Sequence, residues 1–431
     1  MSFEVIGIII LVGVFFLMMF LRVGVGISMG VATISAMIYL RLPIGVLMQG
    51  MVAGTNVFTF MAVPFFIFAG EIMSGGGITD RLIVLANALV GWMRGGAAMV
   101  NVVASMFFGG ISGSATADCA SLGPVEIKLM TGQGYDKDFS TCLTMASSVQ
   151  GMLIPPSHNM VIYAVTAGGV SVGALLIGGL VPGIVLGIAL MIYSYFIARI
   201  RNYPISERFV LKDALKAFFS ALWGLLTIVI IVIGVSGGIM TATEAAAVAV
   251  LWALIVSVFI YRTMNLKGIF EAATRTVKTL GIIMVLIAAS YSFGWVVAFL
   301  GIPRMIAAAL LTLTQNKYVI LLLFNILFLI LGMFMSMSSI IIIVTPIIIP
   351  VLNAVGVNLV HFGVILILNL GLGLLTPPVG GVLYIGSAIS NLSIGRLSKA
   401  MLPFYAVMVI VLMIITYVPG FSLWLPGLVG R

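Results

Sequence analysis

The chain has 431 residues, of which 62% are hydrophobic and 7% charged, and its mean hydropathy is +1.32. Even a large soluble domain needs a polar surface, so this composition excludes a water-soluble protein. The net charge of +9 is concentrated in two connections between apolar segments, an arrangement that argues against a nucleic-acid-binding surface. One connection carries Arg199, Arg201, Arg208, Lys212 and Lys216, and the other carries Arg262, Lys267, Arg275 and Lys278. The positive-inside rule predicts that both connections are cytoplasmic.

Apolar segments follow one another along almost the whole chain. Clear examples are residues 5–21, 222–234, 245–260, 319–335 and 406–418. Judged against the ~20 residues that cross a bilayer, they predict roughly ten to twelve spans or half-spans. The segments lack the alternation of barrel strands, so we predict an all-α polytopic membrane protein. The N-terminus has no basic region before its apolar run, and we therefore expect no cleavable signal.

Two Gly/Ser-rich segments interrupt the apolar pattern. The first is Gly109-Gly-Ile-Ser-Gly-Ser-Ala-Thr-Ala-Asp118, and the second is Gly332-Met-Phe-Met-Ser-Met-Ser-Ser339. Each follows an apolar run and precedes a helical stretch that holds Pro124 or Pro346. We predict two re-entrant helical hairpins whose tips lie at membrane depth, where irregular backbone must be buried in protein or line a wet cavity.

A proline pair follows each hairpin. Gly151-Met-Leu-Ile-Pro155-Pro156 and Gly373-Leu-Leu-Thr-Pro377-Pro378 lie 222 positions apart. Proline has no N–H, so each pair is expected to end a helix and to leave carbonyls without helical donors, at Gly151 and Met152 and at Gly373 and Leu374. Helices that resume after each break would direct positive dipole ends at an anionic substrate.

The same offset of 222 aligns the two halves of the chain. It pairs Gly110 with Gly332, Ser114 with Ser336, Pro124 with Pro346 and Ser171 with Ser393, and an offset of 224 pairs Asn101 with Asn325. We predict two inverted structural repeats. The first covers residues 1–198, with arm helices at about 1–60 and transport-core elements at about 78–180. A cytoplasmic basic connection follows at 199–218, and the second repeat covers 219–431, with arms at about 219–278 and a core at about 300–400.

Oxygen-bearing residues near the tips and breaks predict two quasi-equivalent Na+ sites. A hard cation would accept hydroxyl and carbonyl oxygens there. The first site is predicted from Ser112, Ser114, Thr116, Ser148 and Gly151, and the second from Ser336, Ser338, Gly373 and Thr376. Candidate substrate contacts are Asp118, Pro155, Pro156, Ser157, Asn159, Ser339, Pro377 and Pro378. A structural interpretation, in which the prolines merely kink helices, remains open.

The remaining polar residues favour structural roles. Asp118 is interpreted either as part of the coupling machinery or as a helix N-cap before Cys119, and Glu244 as a first-turn or N-cap charge. Cys119 and Cys142 fit neither a disulfide framework nor a metal site and are expected to pack. Gly26-Ile-Ser-Met-Gly30 lies in an apolar segment and predicts helix packing rather than a nucleophile elbow. No Walker or metalloprotease motif is present, so we expect neither catalysis nor a cofactor, and an ion gradient as the energy source.

These motifs together resemble a known family. Phe65-Phe-Ile-Phe-Ala-Gly-Glu71, Gly110-Ile-Ser-Gly-Ser-Ala-Thr-Ala-Asp118, Gly151-Met-Leu-Ile-Pro-Pro-Ser157 and Thr376-Pro-Pro-Val-Gly380 are similar to the large membrane subunit of tripartite ATP-independent periplasmic (TRAP) transporters. The resemblance extends over essentially the whole chain.

The resemblance implies an elevator-type carrier of the ion-transporter superfamily type in the bacterial inner membrane. It implies Na+-coupled uptake of a small organic carboxylate and two partners, a periplasmic substrate-binding protein and a small membrane subunit. Because the motifs begin early in the chain, we expect the small subunit to be a separate chain. The alternative is a stand-alone ion-coupled carboxylate symporter of similar two-repeat fold.

Overall fold

The computed structural model describes residues 3–21, 23–204, 209–377 and 380–429. Those residues form α-helices with short 3-10 and π segments, and no β-strand occurs among them. Six helices are long and apolar enough to cross a membrane, and two bent helix pairs raise that number to eight. Shorter apolar helices of 10–17 residues also occur among the described residues. An all-helical architecture satisfies backbone groups within each segment, as a bilayer requires.

The described residues of the first half form ten α-helices. They are α1 (Phe3–Phe20), α2 (Val25–Tyr39), α3 (Ile44–Thr55), α4 (Ala62–Gly75), α5 (Ile78–Val90), α6 (Gly96–Ser112), α7 (Ala115–Gly132), α8 (Lys137–Ser148), α9 (His158–Ala167) and α10 (Val172–Ile200). Short 3-10 segments at Phe58–Met61 and Val149–Met152 precede α4 and extend α8.

The second half contains eleven helices among the described residues. They are α11 (Leu211–Ser236), α12 (Ala242–Leu254), α13 (Leu266–Phe299), α14 (Ile302–Leu313), α15 (Lys317–Phe334), α16 (Met337–Ala354), α17 (Leu359–Gly373), α18 (Gly381–Ser390), α19 (Ile394–Ala400), α20 (Leu402–Tyr417) and α21 (Gly420–Val429). A π-helical segment, Ile255–Ile260, extends α12.

Helix bounds recur at the offset found in the sequence. Adding 222 to the bounds of α7 gives 337–354, the bounds of α16, and adding it to those of α9 gives 380–389, within one residue of α18. The stretch from α3 to α4, residues 44–75, corresponds to 266–297 and therefore to the single long helix α13. The two halves thus share one helix order, interrupted in the first half at residues 56–61.

Contacts between the halves are reciprocal. Helix α7 packs against α18, and its equivalent α16 packs against α9, the equivalent of α18. Likewise, α4 packs against α12 while α13 packs against α2. Exchanging the repeats reproduces both pairings, which is the relation that a pseudo-twofold axis imposes.

The basic connection is shorter than the sequence predicted. Helix α10 continues to Ile200 and α11 begins at Leu211, so Arg199 and Lys212 lie in helical turns. Arg208 and Arg22 lie outside the described residues. The reason is that exposed basic side chains can continue an apolar helix past the bilayer, where their charges remain solvated.

A polar network joins this connection to the base of the first hairpin. Arg201 Nη1 donates to Asp136 Oδ2 at 2.6 Å, and the Tyr203 hydroxyl donates to the same oxygen at 2.7 Å. The Tyr203 hydroxyl, together with Arg201, holds the pKa of the Asp136 carboxyl below its ordinary value. Both charged side chains are about half exposed, so the pair is screened and orients the connection more than it stabilises it.

Several structural predictions for single residues are confirmed. Glu244 completes a capping box with Thr241 at the start of α12. A Cβ on Gly26 would lie 3.3 Å from Leu286 Cα, so this glycine packs α2 against α13. Cys119 and Cys142 are free and buried.

Candidate functional site

The first hairpin consists of α6 and α7, joined at Gly113. Gly113 has φ +61, a left-handed conformation that glycine adopts without strain. Ser114 caps α7 by accepting from Ala117 N, and its Oγ lies 2.9 Å from Thr116 Oγ1. Ser112 Oγ lies 3.4 Å from Ser114 N. The tip therefore brings together three of the five residues predicted for the first Na+ site.

Glycines allow the backbone of the first hairpin to come into van der Waals contact with the backbone of the first proline break. A Cβ on Gly109 would lie 2.2 Å from Gly151 Cα, closer than real atoms allow, and a Cβ on Gly113 would lie 2.4 Å from the Pro156 carbonyl oxygen. Only glycine fits at either position. The first tip is thus seated directly on the first proline break.

The first break leaves oxygen acceptors free. Helix α8 passes through the 3-10 turn, where the N–H groups of Leu153 and Ile154 both donate to Gln150 O. Among the described residues no backbone N–H donates to the carbonyls of Gly151 or Met152, as the sequence predicted. Ser148, the fifth residue predicted for this site, donates its hydroxyl proton to Met145 O and retains its lone pairs.

The residues after the first break are buried. Pro155, Pro156 and Ser157 are inaccessible to solvent, and Ser157 Oγ has no hydrogen-bond partner among the described residues. Asn159 follows in the first turn of α9 and is 5% exposed. A buried hydroxyl without a partner is costly, and a ligand would satisfy it.

The second hairpin, α15 and α16, has an equivalent tip. Ser336 caps α16 and its Oγ lies 2.5 Å from Ser339 Oγ. Ser338 Oγ donates to Asn159 Oδ1 at 3.1 Å. A predicted second-site residue and a predicted substrate contact therefore meet across the two repeats. The first tip likewise approaches α18 of the second repeat. A Cβ on Gly381, at the start of α18, would lie 3.9 Å from Thr116 Cγ2.

The second break differs from the first, and here the prediction of free carbonyls is wrong. Gly373 O accepts from Thr376 N at 3.0 Å, and Leu374 O accepts from Val382 N at 3.1 Å. The chain turns after Leu374, so the N–H group of Thr376, just before the prolines, and that of Val382, beyond them, replace the missing helical donors. Thr376 Oγ1 donates to Leu372 O. Pro377 lies within this turn, and Pro378 lies outside the described residues.

The close backbone contact nevertheless recurs. A Cβ on Gly373 would lie 2.7 Å from Gly332 Cα, matching the approach of Gly109 to Gly151 in the first repeat. The glycine that begins each Gly-x-Leu-x-Pro-Pro motif therefore has a packing role, in addition to any role in binding a ligand.

Asp118 is not the helix N-cap that one interpretation assigned to it. Ser114 holds that position, and Asp118 lies a turn further into α7, fully buried. Its Oδ1 accepts from Ser105 Oγ at 3.3 Å, while Oδ2 has no partner among the described residues and faces Gly151, whose Cβ position is 3.4 Å away. The carboxylate therefore lies between the first hairpin and the first break.

Sequence reasoning missed the polar side chains that line the inside of this hairpin. Asn101 Nδ2 donates to Thr144 Oγ1 at 2.6 Å, Ser147 Oγ donates to Asn101 Oδ1 at 2.8 Å, and Ser105 Oγ lies 3.0 Å from Ser147 Oγ. In the second repeat Asn369 Nδ2 donates to Asn325 Oδ1 at 2.8 Å. The pairing of Asn101 with Asn325 between repeats was the one available signal.

These features define a class of protein. Paired hairpins seated on paired helix breaks, in a chain with several membrane-spanning helices, are the arrangement of a secondary membrane carrier. The model of the family described as "Tripartite ATP-independent periplasmic transporter, DctM component" matches residues 12–421. The chain belongs to this family, whose members are multi-pass proteins of the bacterial inner membrane.

Curated relatives align over most of the chain. The sialic acid TRAP transporter large permease SiaM of Vibrio cholerae is 41% identical over 88% of this chain and 89% of its own length. The C4-dicarboxylate large permease DctM of Pseudomonas aeruginosa is 40% identical over 86% and 87%. The isethionate permease DctMQ of Oleidesulfovibrio alaskensis is 39% identical over 97% of this chain but 66% of its own length.

Solved structures share the fold at low identity. The YdaH transporter of Alcanivorax borkumensis gives a TM-score of 0.60 at 14% identity, covering 89% of this chain and 87% of that one. MtrF of Neisseria gonorrhoeae gives 0.56 at 14% identity, covering 87% and 82%.

Proposed function

We propose that the chain is the large permease of a TRAP transporter and drives Na+-coupled uptake of a small organic carboxylate. The observation that carries the proposal is the seating of each Ser-rich hairpin tip on a proline break, through Gly109–Gly151 and Gly332–Gly373 contacts. Such a site is irregular backbone at membrane depth, which is stable only where it lines a protein-enclosed or wet cavity.

The first Na+ site is formed by the hydroxyls of Ser112, Ser114 and Thr116 with Ser148 and the Gly151 carbonyl. Three observations support this site: the Gly151 carbonyl has no backbone donor, the tip carries neutral hydroxyl oxygens, and Asp118 Oδ2 has no partner among the described residues. Hard oxygens in this number suit a hard monovalent cation, and the buried carboxylate offsets its charge.

The second Na+ site is formed by Ser336, Ser338, Gly373 and Thr376. Here the Gly373 carbonyl already accepts one hydrogen bond, so its second lone pair would serve the ion. The position equivalent to Asp118 is Ile340, which contributes no charge. We therefore propose that the second site is the weaker of the two.

The substrate carboxylate binds between the tips. The positive helix ends of α9 and α18 begin directly after the two breaks, and they favour an anion there. Ser157, Asn159 and Ser339 supply polar contacts, with Asp118 behind the first tip and Pro155, Pro156 and Pro377 shaping the walls. Pro378, also a candidate from the sequence, lies outside the described residues. Relatives named for sialic acid, C4-dicarboxylates and isethionate support a small organic anion as cargo.

A periplasmic binding protein delivers the substrate, and a small membrane subunit on a separate chain completes the transporter. The family description, which specifies three components and no ATP, supports this assembly. The core of each repeat moves against the arms as in an elevator, and the mutual packing of arm helices α2, α3, α4, α12 and α13 supports a separate scaffold.

Reconstitution tests this function. Proteoliposomes that contain the chain and its small subunit, supplied with the binding protein and labelled substrate, should accumulate substrate only under an inward Na+ gradient. Replacing Na+ with K+ is the matched control. Robust uptake by this chain alone would refute the tripartite assembly, and equal uptake in K+ would refute Na+ coupling.

A further inference from the structure

Glu126 is a buried acid that the proposed transport site does not use. It lies on α7 two turns beyond Asp118 and is 3% exposed. Both carboxylate oxygens are inaccessible, and neither has a hydrogen-bond partner among the described residues. The position 222 residues later is Ile348, which is equally buried. The fold thus accepts an aliphatic side chain here in one repeat and carries an acid in the other.

The surroundings of Glu126 are polar but neutral. The Thr144 hydroxyl on α8 is the polar group that faces it. Thr144 Oγ1 accepts from Asn101 Nδ2 on α6, and the same amide nitrogen lies 3.7 Å from the thioether sulfur of Met130. These groups connect Glu126 with the interior of the first hairpin, between α6, α7 and α8.

No cation offsets the charge of an ionised Glu126 among the described residues. Helix α6 and the 3-10 turn 149–152 carry no ionisable side chain. Lys128 and Lys137 are exposed, Asp138 pairs with Arg396, and Glu71 on the nearby α4 pairs with Arg275. The other ionisable groups on elements packed against α7 are Asp118, Cys119, Cys142 and Tyr384, none of them cationic.

A metal ion does not fit this environment. Hard cations need several oxygen ligands, whereas the side-chain oxygen near Glu126 is the Thr144 hydroxyl, which already accepts from the Asn101 amide. An uncompensated buried carboxylate costs several kcal/mol, while the neutral acid loses far less on burial. A proton is therefore the ligand that matches the site.

We propose that Glu126 is a proton-binding site of the first hairpin, occupied in the described conformation. Its proton leaves only when the packing of α6, α7 and α8 opens and admits water. Proton binding is then linked to the closed state of this hairpin, and the second hairpin, with Ile348, has no such link.

The test is the thermal unfolding of the purified full chain in detergent between pH 5.5 and 8.5. A group that is protonated when folded and ionised when unfolded stabilises the protein at low pH, and this stability falls as pH rises above the ordinary range of a glutamate. One such group changes the unfolding equilibrium tenfold per pH unit.

Glu126→Gln mimics the neutral acid and should remove that component, so its apparent Tm should fall less with pH than that of wild type. Glu126→Ile, which copies Ile348, should do the same, and it keeps the test valid if the glutamine variant does not fold. Glu271→Gln, at an exposed acid, should retain the wild-type slope.

An unchanged pH slope in both Glu126 variants would overturn the proposal. So would a loss of stability in both variants that is equal at every pH, because it would show that the acid is ionised or purely structural. The measurement does not involve uptake, so its result is independent of whether Na+ drives transport.

Discussion

Glycine at positions 109, 151, 332 and 373 is required by distance rather than by backbone conformation. In each repeat the first helix of the hairpin contacts the helix end that precedes the prolines. The Cα atom of one glycine occupies the space that a side chain on the other would need. The contact fixes the height of the tip relative to the break. The positions of the Ser114 and Thr116 hydroxyls relative to the first break depend on that height.

Gly109→Ala tests this contact. Its Cβ would lie 2.2 Å from Gly151 Cα, so the backbones must separate, at the typical overpacking cost of about 1–3 kcal/mol. We expect a lower apparent Tm and loss of uptake. Gly332→Ala, whose Cβ would lie 3.0 Å from Gly373 Cα, should lower the apparent Tm and uptake less. Gly132→Ala, whose Cβ would have no atom within 4 Å, should change neither. Equal effects of Gly109→Ala and Gly132→Ala would show that the contact does not matter.

At this scale the sequence predicted the hydroxyls but not their partners. Ser114 and Ser336 were recognisable because they share one repeat position in the two Gly/Ser-rich segments. Ser105, Thr144 and Ser147 were not, since no local motif marks them and each acquires its role only when α6 and α8 pack together. The free carbonyls of the first break followed from proline chemistry, whereas the turn that satisfies Leu374 depends on a bond from Val382.

The corner between helices α4 and α5 in the first repeat differs from the equivalent corner between α13 and α14 in the second. Helices α4 and α5 meet at 70° through Gly77. Thr263 Oγ1 donates to Gly76 O, and the Arg81 guanidinium lies 3.6 Å from the Tyr261 ring centroid, so the connection between α12 and α13 clamps this corner. The equivalent Gly301, between α13 and α14, has nothing within 4 Å of its Cβ position. Among the described residues, the first corner is therefore packed more closely around its glycine than the second is.

Alanine at the two corners separates conformational strain from clamping. Both glycines are left-handed, with φ +70 at Gly77 and +66 at Gly301, so Ala costs roughly 1–2 kcal/mol at either. At Gly77 the new Cβ also lies 3.0 Å from Thr263 Cγ2 and 3.1 Å from Arg81 Nη1. We expect Gly77→Ala to lower the apparent Tm more than Gly301→Ala. The reverse order would contradict the clamp.

Element order was largely predictable, and element ends were not. The repeat offset placed both hairpins and both breaks, because glycine and proline mark them locally. The limits of the basic connection were wrong, because Arg199 and Lys212 read as loop residues although the helices around them continue into the polar region.

In the whole molecule, two repeats with reciprocal contacts surround one site, yet the site is not symmetric. The first half supplies Asp118 and the free carbonyls, and the second half has Ile340 and satisfied carbonyls at the matching places. Outside the site the halves differ again, since Glu126 is matched by Ile348. The shared fold was predictable from the offset alone. The asymmetry in hydrogen bonding was not, since it arises from how the chain returns after each proline pair. Cytoplasmic exposure of the basic connection remains a prediction.

The most direct test of the first Na+ site is the Na+ dependence of uptake by Thr116→Ala in the complete reconstituted transporter. Loss of one oxygen ligand, at roughly 1–1.4 kcal/mol, should raise the half-saturating Na+ concentration about five- to tenfold. Thr131→Ala, at the other end of the same helix, removes a hydroxyl that bonds only to its own helix and should leave the Na+ dependence unchanged. An unaltered half-saturating Na+ concentration in Thr116→Ala, with uptake otherwise intact, would contradict the Na+ site proposed at the first hairpin tip.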